Sequence, residues 1–74
     1  MTLKPNPKTQ EQIGRKLREI RDQKDLSQEN VAKAAGISST YYAGIERGEE
    51  NPTITVIENI CRLFKIKSSE ILPF

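Results

Sequence analysis

Apolar side chains recur along this chain at helical spacing, and no stretch alternates with period two for long. Ile13, Leu17 and Ile20 repeat at four and three residues behind Thr9 and Gln12, which have the spacing of a capping box. This predicts an amphipathic helix over residues 10–24, ended by Asp25. Ser27 is a cap for a second helix over 28–35, which turns Val31, Ala32 and Ala35 inward and stops at Gly36, the residue best suited to a left-handed turn. Ser38 caps a third helix through Glu46, with Tyr42 and Ile45 on one face, and Gly48 ends it. The segment RGEENP is a loop, and Thr53 caps a fourth helix over 54–65. There Ile54, Ile57, Cys61 and Phe64 recur with Val56, Ile60 and Leu63 beside them, an apolar stripe wide enough for more than one neighbour. A last short turn or helix over 68–72 starts at Ser68 and is halted by Pro73. The expected fold is all-α: a compact bundle of about five short helices.

The opening stretch MTLKPNPK lacks this periodicity and holds Pro5 and Pro7, so residues 1–8 read as a flexible arm ahead of one domain at 9–74. Lys4 and Lys8 could carry that arm toward a nucleic-acid backbone. A chain of 74 residues leaves no room for a second domain or a deep substrate cavity. It has no histidine and one cysteine, Cys61. That inventory excludes a zinc ligand set, Cys-His and Ser-His pairs and an internal disulfide, so the expected class is a non-enzymatic module without metal or cofactor. No apolar run approaches the roughly 18 residues of a membrane span, and no signal-peptide core opens the chain, so the cytoplasm is the expected location.

Net charge is +2, too small to name a partner, but it is unevenly placed. Residues 1–24 carry seven bases and three acids, +4, whereas residues 25–74 carry five and seven, −2. A basic front permits contact with a polyanion and equally suits a solvated helix face.

The twenty residues from Gln28 to Arg47, QENVAKAAGISSTYYAGIER, decide between these. Two helices crossing through a short turn need a small residue at the crossing, a glycine in the turn and apolar residues on both inner faces. Here Ala32 is the small residue, Gly36 the turn, and Val31, Ala35, Ile37, Tyr42 and Ile45 the inner faces. Such a helix-turn-helix leaves the outer face of its second helix free, with dimensions that fit the major groove of B-form DNA.

On the phrases LSQENVAKAAGIS, IERGEENPT and the Ile-rich helix ending in SSEIL, the run from Ile13 to Leu72 resembles the Cro and phage-repressor (Xre-like) helix-turn-helix regulators. In its compactness it is similar to the controller proteins of restriction–modification systems. The resemblance implies a lambda-repressor-like DNA-binding domain. It places base reading on Ser39, Thr40, Ala43 and Gly44, the expected outer face of the third helix. It also implies a backbone contact from Gln28, at the free amides of the second helix, while the positions of Ser38, Arg47, Asn51 and Thr53 around the third suit phosphates, and Tyr41 beside it suits a phosphate or a sugar. Arg21 is expected opposite Glu46, fixing the third helix and turning toward a phosphate. An arginine often precedes the threonine in controller proteins; Ser39 stands there in this chain, which argues against a guanine-rich half-site and raises the share left to DNA shape. Glu49 and Glu50 oppose DNA contact unless they point away or sharpen discrimination.

One recognition helix covers only a few base pairs, so a homodimer on a palindromic operator is expected. Its interface would be Val56, Leu63, Ile66, Ile71, Leu72 and Phe74, more apolar residues than a five-helix monomer needs. The partners that follow are double-stranded DNA, a second copy and RNA polymerase, with no membrane. The function that follows is sequence-specific transcription regulation, as in the control of a restriction–modification operon. An alternative is an antitoxin or phage-type repressor whose tail surface binds a second protein.

Overall fold

The computed structural model describes residues 6–74. Among them the chain forms four α-helices, α1 (Pro7–Gln23), α2 (Gln28–Ala35), α3 (Ser39–Glu46) and α4 (Ile54–Phe64), followed by a single 3-10 turn, Ser68–Glu70. The fifth expected helix is thus only this turn, because Pro73 leaves too few residues to propagate one.

The starts follow side-chain capping. Ser27, Ser38 and Thr53 accept hydrogen bonds from the backbone amides of Asn30, Tyr41 and Val56, and the Asn30 side chain returns a bond to Ser27. The first helix departs from the sequence reading. Its cap is Asn6, whose side chain accepts from the Lys8 amide at 2.9 Å, and Pro7 occupies the first turn. Proline suits that place because its φ is preset and its missing N–H would have had no helical partner. Asn6 to Lys8 therefore belong to the cap and first turn of α1. The rest of the expected arm, Lys4 included, lies outside the described residues.

All four helices end alike. A left-handed residue follows the last turn, and the next amide reaches back five residues: Leu26 to Arg21, Ile37 to Ala32, Glu49 to Gly44 and Ile66 to Cys61, at 2.9–3.1 Å. Gly36 and Gly48 take the left-handed position at φ of 76° and 79°, whereas Asp25 and Lys65 take it at 57° against their Cβ. Turns of this kind reverse the chain in few residues, which is how four short helices enclose one core.

That core joins Ile13 and Leu17 of α1, Val31, Ala32 and Ala35 of α2, Tyr42 and Ile45 of α3, the inner stripe of α4 from Val56 to Phe64, and Ile71 from the tail. α3 lies against both α1 and α2, and α4 closes the far side of α2. α1 and α3 approach closely at Gly14, where a Cβ would meet the Ile45 and Glu46 carbonyl oxygens and come within 2.8 Å of the Glu46 carbonyl carbon. Val56 and Ile71 are buried within the monomer, so neither is available to a dimer interface as expected from sequence. Cys61 is a buried thiol whose pKa is raised, by burial first and then by Glu70. No helix among the described residues is long and apolar enough to cross a membrane.

Candidate nucleic-acid interface

The amino-terminal half of α3 stands free. Ser38, Ser39 and Thr40 are exposed, Ala43 is half-buried, and Tyr42 and Ile45 on the opposite side are fully enclosed. Ser38 spends one lone pair on the Tyr41 amide at 3.1 Å, which leaves its hydroxyl proton for an acceptor such as a phosphate. Thr53, bonded to the Val56 amide at 3.2 Å, is placed the same way at the start of α4. Gly44 is buried, contrary to its expected place on the reading face. The Glu50 side chain lies over it, with Cγ 2.7 Å from where a Cβ would stand.

Behind this face a buried polar cluster sets the pose of α3. Glu46 is 4% exposed at its side chain and receives the Arg21 fork, Nε to Oε2 at 2.7 Å and Nη2 to Oε1 at 3.1 Å. Arg21 also donates from Nη1 to the Leu26 carbonyl at 2.8 Å, and Gln28 donates from Nε2 to Glu46 Oε1 at 3.0 Å. The Glu46 carboxylate thus ties together α1, α2 and α3, and Arg21 adds the turn before α2. Burial alone would raise the Glu46 pKa, but the hydrogen bonds from Arg21 and Gln28, with the Tyr42 hydroxyl close by, outweigh it and hold the carboxyl below its ordinary range. Burial and then Glu46 push the Tyr42 phenol far above its ordinary range, and its hydroxyl lies in this cluster without a completed hydrogen bond.

This geometry revises two expectations. Arg21 pairs with Glu46 as anticipated, but its fork is spent inside the protein on Glu46 and Leu26, so it positions α3 and is not turned toward a phosphate. Gln28 is half-buried with its side-chain amide on Glu46, so one amide proton is spent inside the protein and it is not simply an outward-facing side chain at the start of α2.

The loop after α3 is folded back upon it. Tyr41 donates its hydroxyl proton to the Asn51 carbonyl at 3.1 Å, so that proton is not free for a phosphate, while Asn51 itself remains exposed. Arg47 is exposed and held by Glu49, Nε to Oε2 at 2.6 Å. DNA contact by Arg47 therefore requires exchange of a carboxylate for a phosphate. Of the expected dimer residues, Leu63, Ile66 and Leu72 are half-buried and Phe74 is 86% exposed. Ile54, part of the wide apolar stripe but not among the expected dimer residues, is 88% exposed beside Phe74, and a groove of about 580 Å³ runs there past Ile57, Cys61 and Leu72. Gly14 was the other residue missed. Its only sequence signal was a glycine among strong helix formers, between Ile13 and Leu17.

Comparison with known proteins agrees with this arrangement. The chain is 38% identical over 60 residues to the control protein C.MunI of a Mycoplasma species, covering 80% of this chain and 81% of that protein. It is 28% identical over 57 residues to the cryptic phage CTXphi transcriptional repressor RstR of Vibrio cholerae, of which it spans about half the length, 51%. Its fold matches the crystal structure of the restriction-modification controller protein C.AhdI from Aeromonas hydrophila with a TM-score of 0.81 at 33% identity, covering 85% of this chain and 96% of that one. The family HTH_3, helix-turn-helix, matches residues 17–71. With α2 and α3 forming the motif and its relatives being transcriptional regulators, the chain belongs to the HTH_3 helix-turn-helix family.

Proposed function

We propose that this protein is a sequence-specific transcription regulator that binds a palindromic DNA operator as a homodimer, in the manner of a restriction–modification controller. The observation that carries this reading is the state of α3: capped at Ser38, exposed and uncharged over Ser39, Thr40 and Ala43, and locked from behind through Glu46. A helix so held presents hydroxyls and a methyl to base edges without losing conformational freedom on binding. Phosphate contacts come from the Ser38 and Thr53 hydroxyls, the amino-terminal end of α2 at Gln28, Asn51, and Arg47 once it leaves Glu49. Tyr41 contributes by fixing the loop through Asn51.

The second copy docks on the face that exposes Ile54 and Phe74, with Leu72 beside them and Leu63 and Ile66 at the flank. Two large apolar side chains exposed side by side are unusual on a monomer of this size. The mode of action is occupancy: bound beside a promoter in the cytoplasm, the dimer blocks or recruits RNA polymerase and performs no chemistry itself. Selection of bound sites from a random DNA pool tests the whole reading. Expected are palindromic sites whose half-sites repeat about 10 base pairs apart, or a multiple of that. Failure to enrich any sequence would overturn it, and asymmetric single sites bound by a monomer in sedimentation would overturn the homodimer.

A further inference from the structure

Thr40, Gly44 and Arg47 fall at i, i+4 and i+7 along α3, on the face that also exposes Ser39. Gly44 should therefore be open to solvent, yet it is buried; the Glu50 side chain lies directly over it, with Arg47 Nη2 next to it at 3.9 Å from where a Cβ would stand. The loop is secured in that place at three points. The amides of Glu49 and Glu50 both reach the Gly44 carbonyl, at 2.9 and 3.3 Å, and the Tyr41 hydroxyl holds the Asn51 carbonyl at 3.1 Å. Any side chain at position 44 would displace Glu50 from this place, since a Cβ there would stand 2.7 Å from Glu50 Cγ. Among the described residues no hydrogen bond or ion pair engages the Glu50 carboxylate, whereas its neighbour Glu49 is spent on Arg47.

From this placement we infer that Glu50 is a base-reading residue, carried onto the outer face of α3 by the bare backbone at Gly44, and that it selects cytosine at one position in each half-site. The inference rests on the DNA-binding reading above. A carboxylate in the major groove is an acceptor only, and cytosine presents its N4 amino group there as a donor with no acceptor beside it. Guanine offers two acceptors and thymine an acceptor and a methyl, so both repel or waste the charge. Adenine sets an acceptor next to its donor, which suits glutamine in place of glutamate. The uncharged Ser39, Thr40 and Ala43 thus gain beside them, next to Arg47, an acceptor with a defined base preference.

The test compares wild type, Glu50→Ala and Glu50→Gln in selection from a random DNA pool, followed by titration of the recovered duplexes with each base in turn at every half-site position. Glu50 is exposed and without side-chain partners, so both variants should fold, which thermal melting verifies. Expected is a wild-type preference for cytosine at one position of about five- to tenfold, lost in Glu50→Ala and passed to adenine in Glu50→Gln. Identical site rankings in wild type and Glu50→Ala would overturn the inference while leaving the DNA-binding reading intact. A uniform gain in affinity for all sequences in both variants would also overturn it, since that is the signature of phosphate repulsion alone. If wild type enriches no site at all, both readings fall together.

Discussion

Gly14→Ala is a change whose sign depends on the closeness of α1 and α3. Judged by helix propensity, alanine in the middle of α1 should stabilise the protein by roughly 0.8–1.0 kcal/mol. The structure predicts the opposite. The new Cβ would sit 2.5 Å from the Glu46 carbonyl oxygen and 2.8 Å from its carbon, with the Ile45 carbonyl oxygen equally in the way. These are backbone atoms at the end of α3, so no side chain can swing aside. The two helices must separate, which loosens Ile13 and Leu17 from Tyr42 and Ile45 and stretches the Arg21–Glu46 fork. Overpacking of this kind costs about 1–3 kcal/mol, and an obstacle made of backbone belongs at the upper end. Subtracting about 1 kcal/mol of propensity leaves a net loss of about 2 kcal/mol. For a domain of this size that lowers Tm by about 8–16 °C, read by circular dichroism melting. A variant that melts 4–8 °C above wild type would refute the close approach, since it would show the propensity term acting unopposed.

Three further outcomes follow. Glu46→Gln should destabilise the protein by about 1.5–3 kcal/mol at neutral pH, because the half-buried Arg21 fork loses its carboxylate and keeps only the exposed Asp22, at 3.5 Å, as an ionic partner. The carboxyl's pKa is depressed in the folded state, so its contribution is fully present above the ordinary value of 4.5 and is lost as pH falls through the lower folded value. Urea titrations should accordingly show the gap between wild type and Glu46→Gln closing only below pH 4.5. Lys65→Gly should raise Tm by the equivalent of about 0.5–1 kcal/mol, since it relieves a left-handed backbone at φ 57° behind α4; an unchanged or lower Tm would contradict that strain. Arg47→Ala should weaken binding to all DNA sequences alike and reduce the salt slope by about one unit, and an unchanged slope would mean that Arg47 stays with Glu49.

Three of the four α-helix caps, Ser27, Ser38 and Thr53, were legible in sequence as short polar side chains ahead of a periodic run. Asn6 was passed over because Thr9 offered a competing cap, and only the structure shows Pro7 inside the first turn. The Arg21–Glu46 pair followed from family resemblance, but its full use of the guanidinium fork could not, because Leu26 and Gln28 converge on it only once α1 and α2 are folded. The wide stripe of α4 told of several neighbours without telling which. Val56 and Ile71 went to the core, while Ile54, in the same stripe, was left outside with Phe74. Gly44 shows the limit most plainly. Helical spacing puts it on the outer face, yet it is buried there under the side chain of Glu50, brought back by a turn that a one-helix projection does not contain.

The central claim is that α3 enters the DNA and is held there by the cluster around Glu46. Amide chemical shifts of isotopically labelled protein, titrated with a duplex recovered from the random pool, test it most directly. The account predicts the largest changes from Ser38 to Ala43, with further ones at Gln28 and Thr53 where backbone amides meet phosphates, and little at Ile60 or Phe64 in the core. Changes confined to α4 and the tail, with Ser39 and Thr40 unmoved, would contradict it.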